Sequence, residues 1–179
     1  MGTVEMPIVK KMREIEQALS TSYIAVGWID DNGSLQTARA NMRFREITGR
    51  RTNAIGKQPS QALIAATMNY GRQPGTTLDG HSYGPIPARP FMTFAQEIWK
   101  ETLPKVLQRF VPMVLRGTMT IDALLSRLGE AAKNSVQQAI MEGNYVPLSP
   151  KTVAAKGSDK PLFDKGAMVG SVTYEIRKV

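Results

Sequence analysis

The residue types that most often perform chemistry are scarce in this chain. It has no Cys, and His81 is its single His. Thiolate nucleophiles, disulfides, zinc sites built from Cys and His, and triads that need a second His are therefore excluded. His81 lies among glycines and prolines without a neighbouring carboxylate, so we interpret it as a surface residue. No catalytic residue is predicted.

Acidic and glycine-rich patterns also lack the spacing that a site needs. The carboxylates are scattered and do not form the pair that general acid and base catalysis requires. Asp30-Asp31-Asn32-Gly33 has part of a calcium-loop pattern, but the later ligand positions do not follow, which favours a turn. The glycines fit neither a phosphate-binding loop nor a dinucleotide fingerprint. We expect no enzymatic activity, cofactor or metal.

Positive charge is the strongest chemical signal. The chain of 179 residues carries a formal net charge of +8, and residues 37–57 hold six cations against the single acid Glu46. The six are Arg39, Arg43, Arg45, Arg50, Arg51 and Lys57. A surface of this kind attracts any nucleic-acid backbone without reading bases, and it also suits an acidic neighbouring protein. The sequence leaves open whether these residues form a DNA channel or a protein clamp.

The remaining pattern predicts an α+β fold. Ile8, Met12, Ile15 and Leu19 have helical spacing over residues 7–19, and residues 22–30 are typical of a strand that leads into a turn at Asn32-Gly33 and a second strand. Residues 60–70 are a short apolar helix or buried strand that stops at Gly71, and residues 71–90 hold enough Gly and Pro to predict a long loop.

The second half of the chain contains the longest predicted helices. In residues 93–111, Thr93 is a plausible N-cap and Pro104 predicts a kink or a break near Thr102 to Leu103. Residues 120–142 form the clearest helix, capped by Thr120 and ended by Gly143 in the left-handed conformation. Residues 144–166 read as loop, and residues 171–176 alternate as a final strand. We therefore expect one domain over residues 1–179, an antiparallel or mixed sheet packed by two or three helices, with residues 31–58 as a long basic loop or arm.

Two segments resemble one family of phage proteins. The first is Asn69-Tyr70-Gly71 followed by Ile86-Pro87-Ala88-Arg89-Pro90-Phe91-Met92, and the second is Pro147-Leu148-Ser149-Pro150-Lys151-Thr152 followed by Pro161-Leu162-Phe163-Asp164-Lys165-Gly166. Their order and spacing are similar to those of phage tail-completion and virion-morphogenesis proteins of the lambda Z-like and Mu G-like kind. The resemblance covers residues 60–179.

That resemblance implies a structural virion protein of the phage neck, a ring that completes the tail and joins it to the head connector. The implied partners are further copies of the chain, with six-fold symmetry favoured over twelve-fold, a head-completion or connector protein, and a tail tube or tail terminator protein. Genomic DNA in the lumen is a further candidate, and no membrane is implied. The protein would assemble in the host cytoplasm and remain in the virion. The alternative is a basic nucleic-acid-binding packaging or regulatory protein.

The resembling motifs contain residues that we assign to a subunit interface or to the motif itself. They are Pro87, Arg89, Pro90, Phe91, Leu148, Leu162, Asp164 and Gly166. Two prolines stiffen residues 86–91, which suits the display of Arg89 and Phe91 to a neighbouring subunit. The same stiffness would also guide the chain into the next helix with Phe91 as a core residue, and the sequence does not choose between these interpretations.

Overall fold

The computed structural model describes residues 6–29, 61–76, 80, 82–163 and 166–179. The predicted turn at residues 31–33, the second strand after it, the basic arm at residues 31–58 and His81 lie outside these ranges. The chain folds into two compact units. The first unit comprises Met1–Gly27, Phe91–Gly143 and Val172–Val179, and the second comprises Trp28–Pro90 and Asn144–Ser171. The α+β class is confirmed, whereas the expected single domain stays a prediction.

The first unit is built from three helices and a two-stranded sheet in its described part. The helices are α1 (Pro7–Thr21), α3 (Phe91–Leu115) and α4 (Ile121–Glu142), and the strands are β1 (Ser22–Gly27) and β4 (Thr173–Lys178). The strands pair antiparallel from Ser22↔Lys178 to Gly27↔Thr173. Helix α4 packs on both strands, and α1 packs on β1, as predicted.

The second unit contains three short helices and a small hairpin among its described residues. The helices are α2 (Gln61–Tyr70), α5 (Pro150–Lys156) and α6 (Ala167–Gly170), and the antiparallel strands are β2 (Gly75–Thr76) and β3 (Ser82–Tyr83). The hairpin corrects the prediction that residues 71–90 hold no regular structure. Helix α5 likewise corrects the loop predicted for residues 144–166.

The helix-capping predictions have mixed outcomes. Thr120 caps α4, because its Oγ1 accepts a hydrogen bond from the Ala123 N–H at 3.1 Å. Gly143, however, has φ −65° and ψ 139°, so the left-handed end predicted for this helix is wrong. Its N–H donates to the Ala139 carbonyl at 3.1 Å, and the chain then leaves the helix in an extended conformation.

Helix α3 passes through the position where a break was predicted. It starts at Phe91, two residues before the expected cap Thr93, and continues past both Pro104 and Pro112 to Leu115. A proline inside a helix costs about 3 kcal/mol because it lacks an N–H. Leu103, Val106 and Leu107 flank Pro104 and pack against the core of the first unit. Their burial outweighs the local cost, which a local sequence pattern does not report.

The core of the first unit lies between α1, α3 and α4. Its buried members are Ile15, Val114, Leu124, Leu125 and Leu128. Leu124, Leu125 and Leu128 belong to the apolar stripe predicted for residues 120–142, and the sheet adds Ile24 and Ile176 from its two strands. The stripe therefore packs on the sheet, as predicted.

Candidate interaction site

Residues 86–90, which contain Pro87 and Pro90, lie against the end of α2. The N–H groups of Arg72 and Ile86 each donate to the other residue's carbonyl at 2.8 Å. Gly71 has φ 76°, and a Cβ at that position would lie 2.7 Å from the Ile86 carbonyl oxygen. Only glycine fits both the left-handed backbone and the close approach. Gly71 therefore ends α2 and holds residues 86–88 beside it.

Arg89 joins three segments of the second unit. Its backbone N–H donates to the Met68 carbonyl at 2.9 Å, and its Nε donates to the Val146 carbonyl at 3.0 Å. One terminal nitrogen lies 3.9 Å from the Met68 sulfur. The residue is only 3% exposed, and this burial lowers the pKa of the guanidinium. We call Met68, Arg89 and Val146 the Arg89 junction.

The Arg89 junction brings together in space the two segments that resemble the phage proteins. Met68 immediately precedes Asn69-Tyr70-Gly71, and Val146 immediately precedes Pro147-Leu148-Ser149-Pro150. The two shorter hydrogen bonds of Arg89 end on backbone carbonyls, which have no side-chain signature, so the sequence could not identify Met68 and Val146. Beside them, burial raises the pKa of Tyr145 to about 12.

The Pro147–Thr152 motif is a helix start. Ser149 is the N-cap of α5, Pro150 follows at the first helical position, and the Thr152 N–H donates to Ser149 Oγ at 3.2 Å. Proline is tolerated there because the first helical N–H has no intrahelical partner. Gly157 ends the helix at φ 71°. The signal for α5 was thus present in the sequence, in the Ser-Pro-Lys-Thr order.

The last motif leads into α6 and a tryptophan contact. Gly166 caps α6 with φ 76°, a conformation that favours glycine. Leu162 and Met168 are buried. The Trp28 indole N–H donates to the Met168 carbonyl at 2.9 Å and to Ser171 Oγ at 3.1 Å. This contact links residues 28 and 168–171 within the second unit.

The predicted interface residues fall into four groups. Arg89, Phe91 and Leu162 are buried within the chain, and Phe91 has no exposed surface at all. Pro87 and Pro90 are exposed, while Leu148 and Gly166 are half-buried. Asp164 and the six basic residues Arg39, Arg43, Arg45, Arg50, Arg51 and Lys57 lie outside the described residues. The burial of Arg89 and Phe91 favours the interpretation in which this segment guides the chain into α3.

Helix α1 turns most of its apolar stripe outward. Ile15 is buried, yet Ile8, Met12 and Leu19 on the same stripe are exposed, Met12 to 57%. The half-buried side of α1 instead carries Lys11, Glu14 and Ala18 beside Ile15. We call Ile8, Met12 and Leu19 the α1 ridge. Ile8 and Met12 lie one turn apart, and the buried Ile15 separates them from Leu19.

Helix α2 carries a second exposed apolar surface. Leu63 is 58% exposed and Tyr70 is 80% exposed. They are seven residues apart, so they share one face of the helix, whereas Ala65 and Asn69 are buried on the other. We call Leu63 and Tyr70 the α2 ridge. Both ridges are formed by large apolar or aromatic side chains.

A groove of about 320 Å³ lies in the first unit. It contains the carboxylates of Glu14 and Asp122, but Glu14 already pairs with Lys11 at 3.0 Å and Asp122 is in the first turn of α4.

Within the described ranges, no group of three or more His, Cys, Asp or Glu side chains is arranged to hold a metal ion. In the same residues, no helix is both long and apolar enough to cross a membrane.

Comparisons with known proteins add no relative. No protein-family model, curated protein or solved structure matches this chain.

Proposed function

We propose that this chain is a structural virion protein of a phage neck, forming a ring that completes the tail and joins it to the head connector. The outward-facing α1 ridge carries the proposal, because a helix that exposes Ile8, Met12 and Leu19 needs a partner surface to remove them from water. The α2 ridge gives a second surface of the same kind. A ring subunit needs two different surfaces, since each copy must contact two neighbours.

The motif geometry is a second support. The Arg89 junction ties together the two segments on which the family resemblance depends. Residues 86–90 are fixed at one end by the Arg72–Ile86 bridge and at the other by Arg89, which leaves Pro87 and Pro90 exposed on a stiff segment. A stiff exposed segment loses little conformational entropy when a partner binds it. The partners we propose are further copies of the chain, a head-completion or connector protein, and a tail tube or tail terminator protein.

The test is electron microscopy of the purified full chain together with mass spectrometry of purified virions. We expect ring-shaped particles with a central hole, six-fold rather than twelve-fold, because heterologous contacts that close produce rings and this family implies six-fold tails. We also expect the chain in mature virions. Particles without rotational symmetry, combined with absence of the chain from virions, would overturn the proposal.

The net charge of +8 favours one other candidate, a nucleic-acid-binding packaging or regulatory protein. The two candidates differ in assembly. A packaging or regulatory protein would bind nucleic acid without forming rings, whereas a neck protein forms rings whether or not DNA is present. Electron microscopy with and without duplex DNA separates them.

The basic residues between Arg39 and Lys57 have two proposed roles within the neck. They either line a lumen that carries DNA or clamp an acidic neighbouring protein, where arginine forks bind carboxylates well. A density map of the intact neck distinguishes these roles by the distance of the six side chains from the central channel.

A further inference from the structure

Two arginines share one aromatic ring in the first unit. The guanidinium carbons of Arg109 on α3 and Arg127 on α4 lie 5.3 and 5.9 Å from the centre of the Phe110 ring. Both arginines are exposed, while Phe110 is half-buried against the core. Cation–π contacts of this length orient a guanidinium and leave its N–H edges available. We call Arg109, Phe110 and Arg127 the Phe110 arginine pair.

None of the ion pairs among the described residues involves Arg109 or Arg127. The helix neighbours of Arg109 three and four positions away are Lys105, Val106, Pro112 and Met113. Glu130 is the one acid at such a position from Arg127, and it pairs with Lys133 instead. Two like charges held near one ring repel each other. The arrangement therefore favours an anion from outside the chain.

Two further cations, Lys105 and Arg116, extend the positive surface along α3. Lys105 lies one turn before Arg109 on the same face of α3, and Arg116 follows the end of that helix. Both are exposed. The cations thus run from Lys105 to Arg116 along the last turns of α3, with Arg127 of α4 near Phe110. This surface lies outside the basic segment of residues 37–57.

We propose that the Phe110 arginine pair, flanked by Lys105 and Arg116, is a contact site for the phosphate backbone of duplex DNA. Arginine binds phosphate through two parallel N–H···O bonds, and the contacts with Phe110 keep the two guanidinium groups close to one ring. The site has no helix placed to read base edges, so binding is independent of sequence. The choice of DNA, rather than another polyanion, rests on the proposed function, in which the ring surrounds the path of the genome.

The test measures fluorescence anisotropy of labelled duplexes of two unrelated sequences with the full chain, as the salt concentration is varied. Each lost phosphate contact lowers the slope of log affinity against log salt by about 0.9, so Arg109→Gln/Arg127→Gln should lower it by about 1.8 for both sequences. The control, Lys10→Gln/Lys100→Gln, removes the same charge from exposed positions elsewhere in the first unit and should leave the slope nearly unchanged. If the double variant melts early, the single variants Arg109→Gln and Arg127→Gln should each lower the slope by about 0.9.

Two results would overturn the inference. One is an Arg109/Arg127 variant that binds DNA with the same slope as the control. The other is a variant that loses binding to poly-glutamate but keeps binding to DNA, since the pair would then contact an acidic protein. The DNA-binding assay needs only soluble chain, so it can be carried out whether or not the chain forms rings. Conversely, rings with unchanged DNA binding would defeat this inference alone.

Discussion

The ring of Tyr174 on β4 lies directly against the backbone of Gly129 in α4. A Cβ at residue 129 would clash with that ring. Gly129 is buried in the middle of a 22-residue helix, where glycine costs about 1 kcal/mol relative to alanine. The helix accepts this cost because the missing side chain lets the sheet approach closely.

This contact predicts that Gly129→Ala destabilises the chain. Overpacking costs roughly 1–3 kcal/mol, which exceeds the gain of about 1 kcal/mol in helix propensity. Urea denaturation should show a lower free energy of unfolding. In a Tyr174→Ala background the same substitution should become neutral or stabilising. Gly170→Ala is the control, since a Cβ there meets no atom within 4 Å; equal effects at both glycines would contradict the clash.

Phe91→Ala should remove a fully buried anchor at the start of α3. The expected loss of unfolding free energy is about 3 kcal/mol, because a large buried side chain leaves a cavity. Thermal and urea melts measure it. Met92→Ala, at the next and partly exposed residue, should cost much less. An unchanged melt for Phe91→Ala would mean that this side chain is not buried in solution.

The Arg89 junction predicts that replacing the Arg89 guanidinium lowers the free energy of unfolding. Arg89→Met keeps the apolar stem but leaves the Val146 carbonyl without its 3.0 Å donor, which should cost about 1–3 kcal/mol. Arg89→Lys should also destabilise, because a point charge does not reproduce the fork. The exposed control Lys151→Met should have little effect. A neutral Arg89→Met would show that Arg89 does not hold the segments together.

The α1 ridge predicts an assembly defect without a folding defect. Met12→Lys places a charge on a surface that we expect to be buried between subunits, so the rings should dissociate while the separated chains keep the native far-UV circular dichroism spectrum. Light scattering after size exclusion measures the assembly. Gln17→Lys adds the same charge at another exposed position of α1 and should leave rings intact. Rings of normal size and stability in Met12→Lys would exclude the ridge from the interface.

Tyr145 predicts a pH dependence above pH 10. Its pKa of about 12 in the folded chain exceeds the ordinary value of 10.0, so the folded state keeps the phenol proton more tightly than the unfolded state. The resulting stability is fully present below pH 10 and is lost as the pH rises through about 12. The absorbance difference at the tyrosinate band between the native chain and Tyr145→Phe should titrate near pH 12. A midpoint near 10 would contradict this burial.

Local patterns in the sequence were enough to locate most of the described elements. The periodicity of residues 7–19, the Thr120 cap and the alternation near the C-terminus predicted α1, α4 and β4 within a few residues. The left-handed Gly71 ended α2 as expected. These features depend on a few consecutive residues and their backbone dihedral preferences, so they form whatever the tertiary surroundings of the segment are.

Tertiary contacts decided what local patterns could not. Helix α3 continues through Pro104 because the partly buried Leu103, Val106 and Leu107 pack against the core, an energy that a local pattern does not contain. The stripe of α1 predicted its helix but not that Met12 would face outward, since burial depends on which side meets the core. The sequence left open whether Arg89 faces a neighbouring subunit, and the fold places its Nε on the Val146 carbonyl 57 residues away. The sequence determined which residues could form helices, strands and charged surfaces. Only the three-dimensional packing decided which of these residues are buried by contacts within the chain and which stay exposed for a partner.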